Sequence, residues 1–218
     1  MNVLSVSDRI VDQIYSPAVK EHFPDIDLVL GCGDLPYYYL EFIVDVLRVP
    51  VFFVRGNHAH QKELSEQGEK DGPGGAIDLH RKTICDKGLL LAGFEGCVRY
   101  RPGPFQYTQL EMWSMVFGMV PKLLRNRLKY GRFLDILISH TSPWRVNDQP
   151  DDPAHQGFKA YRWLLEVFKP AYHFHGHIHN YKANVNPETL FRETRVINTF
   201  QYRRTTIDLD ELKRRGRG

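Results

Sequence analysis

The chain has 218 residues, 42% of them apolar and 25% charged, with a formal net charge of +3. That length fits one domain, and the balance excludes global disorder and a fibrous protein; so small a positive excess gives no independent case for nucleic acid. Three cysteines (Cys32, Cys85, Cys97) give neither a disulfide framework nor metal-finger spacing, which fits a reducing, cytoplasmic setting. No apolar run approaches the ~20 residues of a bilayer span, and Met1 to Leu4 show no basic-then-apolar leader, so no membrane role is expected.

The first apolar run, around Val3, Leu4 and Val6, predicts a strand ending at Ser7-Asp8. A short helix is expected over 17–23, with Pro17 in its first turn. A strand over 27–30 stops at Gly31-Cys32-Gly33-Asp34. The spacing of Leu40, Ile43, Val44 and Leu47 predicts a helix over 39–48. A strand over 51–54 stops at Arg55-Gly56-Asn57-His58. Residues 66–75 read as a polar, Gly-rich loop, and 77–93 as short strands with turns. A long helical stretch is expected over 108–130, interrupted or kinked near Gly118 and Pro121. A strand over 133–139 ends at His140, and a Pro-, Asp- and Asn-rich loop covers 141–154. A helix over 158–168 precedes a strand over 172–175 that ends at Gly176-His177-Ile178-His179. Closing antiparallel strands are expected over 195–209. The domain is expected over 1–210, followed by a basic, frayed tail over 211–218.

Strand and helix alternate through the first third, the pattern of parallel strands joined by crossover helices. In such sheets sites form beyond the carboxyl ends of the strands. The strand ends supply Asp8, Asp34, Asn57, His58, His140, His177 and His179. Carboxylate, amide and imidazole donors together suit a divalent ion such as manganese, iron or zinc, and match a thiolate site poorly. The candidate ligands exceed what one tetrahedral ion needs, so two ions sharing a bridging carboxylate are expected.

In their order, Asp8-Arg9-Ile10, Gly33-Asp34, Gly56-Asn57-His58-Ala59, His140 and Gly176-His177-Ile178-His179 resemble the motifs of the calcineurin-like metallophosphoesterase superfamily, over residues 3 to about 180. The resemblance implies a four-layer α/β/β/α sandwich of mixed sheets. It implies that Asp34 bridges two metal ions, that Asp8 and His179 hold the first, and that Asn57, His140 and His177 hold the second. His58 would bind no metal and would act as general acid beside the leaving oxygen. Two positions depart from the pattern. Ile10 stands where the family has a ligand histidine, so the first metal site is expected to be weak. Ala59 stands where the family usually has an acid, and Tyr37 stands where some protein phosphatases place the acid that steadies the catalytic histidine.

His60 is a candidate replacement ligand. His173 and His175 read as structural. His155, in the long loop after His140, and Arg99 and Arg101, before Pro102-Gly103-Pro104, are candidate substrate contacts, because arginine forms bidentate contacts with phosphate. The expected function is a metal-dependent phosphohydrolase acting on a small phosphorylated substrate. A phosphodiester is preferred because the Asp and Arg that follow Gly-Asp in Ser/Thr protein phosphatases are missing. The alternatives are a nuclease with the same chemistry acting on nucleic acid, and a degenerate protein-interaction scaffold. The sequence leaves the oligomeric state open.

Overall fold

The computed structural model describes residues 1–59, 62–65, 68–179 and 186–215. The first part of the chain forms β1 (Asn2–Ser7), α1 (Val19–His22), β2 (Leu28–Cys32), α2 (Tyr37–Leu47) and β3 (Val51–Val54). A hairpin of β4 (Glu63–Ser65) and β5 (Gly68–Lys70) follows, then β6 (Ile77–Asp78), β7 (Thr83–Asp86) and β8 (Leu89–Phe94). The middle holds β9 (Cys97–Val98), β10 (Gln106–Tyr107), α3 (Gln109–Tyr130), β11 (Ile136–Ser139) and α4 (Lys159–Phe168). The last part holds β12 (Tyr172–His175), β13 (Glu188–Phe191), β14 (Thr194–Asn198), β15 (Gln201–Thr206) and α5 (Leu209–Arg215).

Two mixed sheets carry the site. The first has strand order β15-β1-β2-β3-β6 and the second β13-β14-β12-β11-β8-β7. In the first, β1, β2, β3 and β6 are parallel and β15 closes antiparallel on β1. In the second, β14, β12, β11 and β8 are parallel, flanked by antiparallel β13 and β7.

Because side chains alternate across a strand, each apolar run feeds two cores. Leu28, Leu30, Phe52 and Val54 of the first sheet pack with Leu89, Leu91, Ile136, Ile138 and Phe174 of the second. Leu4, Val6, Val29 and Phe53 face the other way, onto Val19 of α1 and Tyr39, Leu40 and Ile43 of α2. Ala92, Phe94, Leu137 and Val196 face Met112, Val116, Met119 and Leu123 of α3 and Leu164 and Leu165 of α4. Each helix pair thus covers the outer face of one sheet.

Several expectations need correction. α3 is one helix of 22 residues that runs through Gly118 and Pro121, so the expected interruption is absent. Pro121 and Phe117, whose carbonyl is left without its N–H partner, both lie on the exposed face, which is open to solvent. A capping box between Thr108 and Glu111 fixes the helix start. The closing strands expected over 195–209 are present, each with an antiparallel neighbour (β14 with β13, β15 with β1), but they do not pair with each other. β14 lies parallel to β12 in the second sheet and β15 pairs with β1 in the first, so the chain crosses between sheets at Thr199-Phe200. The strand expected from 133 begins at Ile136. Residues 209–215, expected in part as a frayed tail, form α5, whose Leu212 is buried against the inter-sheet core.

Candidate metal centre

Asp8, Asp34 and His177 each follow a strand and each adopts a left-handed backbone, at φ 64°, 53° and 67°. Asp and His are among the few non-glycine residues that tolerate this region, and strained backbone of this kind clusters at functional sites. The bends turn the three side chains into the space beyond the strand ends. Gly56 and Gly176 are required by close approach. A Cβ on Gly56 would lie 2.1 Å from Asp34 Oδ1, and one on Gly176 would lie 2.6 Å from Asp8 Oδ2.

The ligand atoms of Asp34, His140 and His177 all lie within 4.8 Å of one another. Asn57 joins them, its Oδ1 lying 3.0 Å from His140 Nε2, which is also 3.1 Å from Asp34 Oδ2. His140 Nδ1 is 2.9 Å from the Cys32 carbonyl and donates to it, so Nε2 is the atom turned to the oxygens. His177 Nε2 donates to the Ala154 carbonyl at 2.7 Å, which leaves Nδ1 for the cluster. The neutral form of His140 would therefore bring a nitrogen lone pair, an amide oxygen and a carboxylate oxygen together. Such a set repels itself unless a cation sits among the donors, and it fits a divalent metal.

Without a metal, a proton takes that place. Burial opposes charge on Asp34, but the charge of His140 and hydrogen bonds from His140 and the His58 N–H hold its carboxyl down to about 2. Burial likewise opposes charge on His140, and Asp34 outweighs it and lifts the imidazole to about 9. Burial, reinforced by the charge of His140, pushes His177 down to about 3, so it stays a neutral donor.

Asp8 and His179 form a neighbouring pair that does not join this convergence. His179 Nε2 is 3.5 Å from Asp8 Oδ1, and the ring stacks on Phe200 with centroids 4.8 Å apart. Both Asp8 oxygens accept the His177 N–H, at 3.1 Å. Ile10 is 39% exposed, outside the apolar core. His60 lies outside the described residues.

His58 is exposed, and its N–H donates to Asp34 Oδ1 at 2.8 Å. It lines a cavity of about 190 Å³ with Asp34, Leu35, Pro36, Ala59 and Glu63. Glu63 was missed by the sequence reading, and its Oε2 accepts the Tyr37 N–H at the start of α2, 2.9 Å away. His155 packs beside His177, with ring centroids 5.1 Å apart, and pairs with Asp152 at 2.5 Å. The guanidinium of Arg101 lies 5.3 Å from the Tyr100 ring centroid, and the Tyr100 hydroxyl accepts from Asn57 Nδ2 at 3.4 Å. Arg99 is held elsewhere, donating to the Gln106 carbonyl and to Glu111 of the α3 cap. His173 and His175 are fully buried. His173 Nε2 meets Ser139 Oγ at 2.6 Å, and burial pushes His175 down to about 4.

A partly buried ionic cluster anchors the loop that carries Asn57 and His58. Arg55 pairs with Asp78 at 2.6 Å and with Glu95 at 3.5 Å, and donates to Tyr37. Its carbonyl accepts the Gly96 N–H at 2.8 Å. Burial pushes the Glu95 carboxyl up, against the hydrogen bond from Tyr107. Nothing in the sequence pattern marks Arg55 or Glu95, since the cluster exists only once β3, β6 and the end of β8 come together.

A family model for the calcineurin-like phosphoesterases matches residues 6–181. No curated protein matches the sequence at a significant level. One solved crystal structure superposes on 96% of this chain and 95% of its own, with a TM-score of 0.63 and 14% identity. The crystal structure of TT1561 from Thermus thermophilus superposes on 92% of this chain and 89% of its own, with a TM-score of 0.60 and 14% identity. At that identity the likeness establishes the fold. No helix among the described residues is long and apolar enough to cross a membrane.

Proposed function

Because the chain belongs to the calcineurin-like phosphoesterase family, whose members are metal-dependent phosphoester hydrolases, we propose that it hydrolyses a phosphodiester in a small phosphorylated substrate, using two divalent ions. The observation that carries this reading is the convergence of Asp34, His140 and His177 donors within 4.8 Å, with Asn57 beside them. Asn57, His140 and His177 would hold one ion. Asp8 and His179 would hold the other, and Asp34 would bridge. When bound, divalent ions such as manganese, iron or zinc supply positive charge at the phosphoryl group and lower the pKa of water.

The protein residues do the rest. Hydrogen bonds from Nδ1 of His140 and Nε2 of His177 to backbone carbonyls fix their tautomers and aim their remaining nitrogens. The carboxylate of Asp34 holds the His58 backbone, which leaves the exposed imidazole to give a ring proton to the leaving oxygen. His155, packed beside the His177 ring, and Arg101, over the Tyr100 ring, would be the substrate contacts; Arg99 would be the weaker one, being committed to Gln106 and Glu111.

The diester preference rests on the absence, after Gly33-Asp34, of the Asp and Arg of the protein phosphatases; the first turn of α2 begins with Tyr37-Tyr38-Tyr39 and carries no acidic residue. The free thiols Cys32, Cys85 and Cys97 accord with a reducing, cytoplasmic setting. The test is hydrolysis of an aryl phosphodiester and the matching monoester with Mn²⁺, beside metal analysis of the wild type and Asp34→Asn. The diester should be cleaved faster, and Asp34→Asn should lose occupancy of both ions. A monoester preference overturns the substrate class, and full occupancy in Asp34→Asn overturns the bridge. No bound metal after supplementation would favour the scaffold reading, to which Ile10 and Ala59 point.

A further inference from the structure

Away from the metal centre, β7 is an edge strand of the second sheet, and among the described residues no strand pairs with its outer side. Between that edge and the carboxyl-terminal half of α3 runs a groove of about 450 Å³, lined by Lys82, Ile84, Cys85, Lys122, Arg125 and Lys129 among others. No carboxylate lines it, and none of these four cations forms an ion pair among the described residues. Lys122 Nζ donates to the Arg81 carbonyl at 2.7 Å, and Lys129 Nζ sits 4.9 Å from the Tyr130 ring centroid. Among the described residues the positive charge is therefore uncompensated.

We propose that this groove binds an extended acidic segment of a partner protein, added to β7 as a further strand. Lysine on a sheet edge ordinarily discourages pairing. Here three of the four cations come from α3 and face the strand across a groove, which places them beside an added chain instead of blocking it. The spacings agree. Alternate residues of an added strand lie about 6.8 Å apart, while Lys122, Arg125 and Lys129 rise about 4.5 and 6 Å along the helix axis. Acids at alternate positions of the segment would meet successive cations. The intervening residues would extend the side on which Ile84 packs against the inter-sheet core, and apolar residues suit them. Strand addition of this kind takes affinity from main-chain hydrogen bonds and specificity from alternate side chains. The concave shape fits a single chain, and the wall holds one aromatic ring, Tyr130, where a nucleic-acid groove would offer several for stacking.

The test is fluorescence anisotropy of the full chain with a labelled, end-blocked (Glu-Val)4 peptide. Saturable binding that weakens with salt is expected, as is a loss of about tenfold or more in the double variant Lys122→Glu, Arg125→Glu. Hydrolysis of a small aryl phosphate ester by that variant should be unchanged, with thermal unfolding as the control for folding. A peptide N-methylated at alternate residues should bind far more weakly to the wild type, since it lacks the N–H groups the edge requires. That comparison decides the question even if the double variant fails to fold. No saturable binding, equal binding of the methylated peptide, or tighter binding of a (dT)12 oligonucleotide than of the peptide would each overturn the proposal.

Discussion

Gly56→Ala isolates the geometry of the metal centre without removing a single donor atom. The new Cβ would meet Asp34 Oδ1 at 2.1 Å, Cγ at 2.5 Å and the Asp34 N at 2.6 Å. To reach an ordinary carbon–oxygen distance the carboxylate must retreat by about 1.3 Å, and a side-chain shift alone does not relieve the clash with the Asp34 backbone N. The retreat stretches two contacts at once, the His58 N–H bond of 2.8 Å and the His140 contact of 3.1 Å. Overpacking of this kind costs about 1–3 kcal/mol. A displacement near 1 Å in a positioned group costs about 10²-fold in turnover. Mn²⁺ affinity by calorimetry, turnover of an aryl phosphodiester, and thermal unfolding without metal should therefore all fall together. A variant that binds Mn²⁺ as tightly as the wild type and turns over normally would refute the placement of Asp34 at the centre.

His58→Ala should reduce turnover by about 10²–10⁴-fold while metal content by elemental analysis stays unchanged, and loss of metal would reassign the residue. Ile10→His should lower the Mn²⁺ concentration needed for half-maximal activity; because Ile10 is exposed, its melting temperature should hold, and an unchanged metal requirement would refute a weak first site. The metal-free protein should lose stability as pH falls from 6.5 towards 4. Burial depresses His80 and His175 to about 4, so below 6.5 the unfolded chain takes up protons that the folded one refuses, at about 1.4 kcal/mol per pH unit for each histidine. Asp34, held at about 2, enters only below its ordinary value of 3.8, so urea midpoints that stay flat between pH 6.5 and 4 would contradict the buried neutral histidines.

The strand ends were legible because each apolar run stops abruptly at a polar turn, and parallel order brings those turns to one edge. Asn57, His140 and His177 are accordingly named from sequence, and the structure brings His140 and His177 within 4.8 Å of Asp34 and sets Asn57 against His140. Partnerships across the sheets were not legible. Arg99 looks like a free phosphate ligand until Glu111 of the capping box is seen to hold it. The Ala154 carbonyl that fixes His177 comes from a loop with no pattern, and a backbone atom leaves no mark in the residue string. The split of β14 and β15 between sheets was hidden because local alternation specifies a strand and says nothing of its neighbour. Pro121 misled because its usual cost falls away on a solvent-facing side of a long helix.

The left-handed backbone at Asp8, Asp34 and His177 bears on how such a site decays over generations. Under the proposed function two filters would act together at these positions, one on metal chemistry and one on backbone conformation. If the chemistry were no longer selected, the backbone filter would remain, and it still admits Asp, Asn, His and Gly while rejecting β-branched side chains. These three residues could outlast the activity they serve. Asn57, His140 and His179 do not share that conformation, so their backbone imposes no such preference. In a lineage drifting towards a scaffold, those three are the positions where loss would show first, and their presence here is the more telling half of the site.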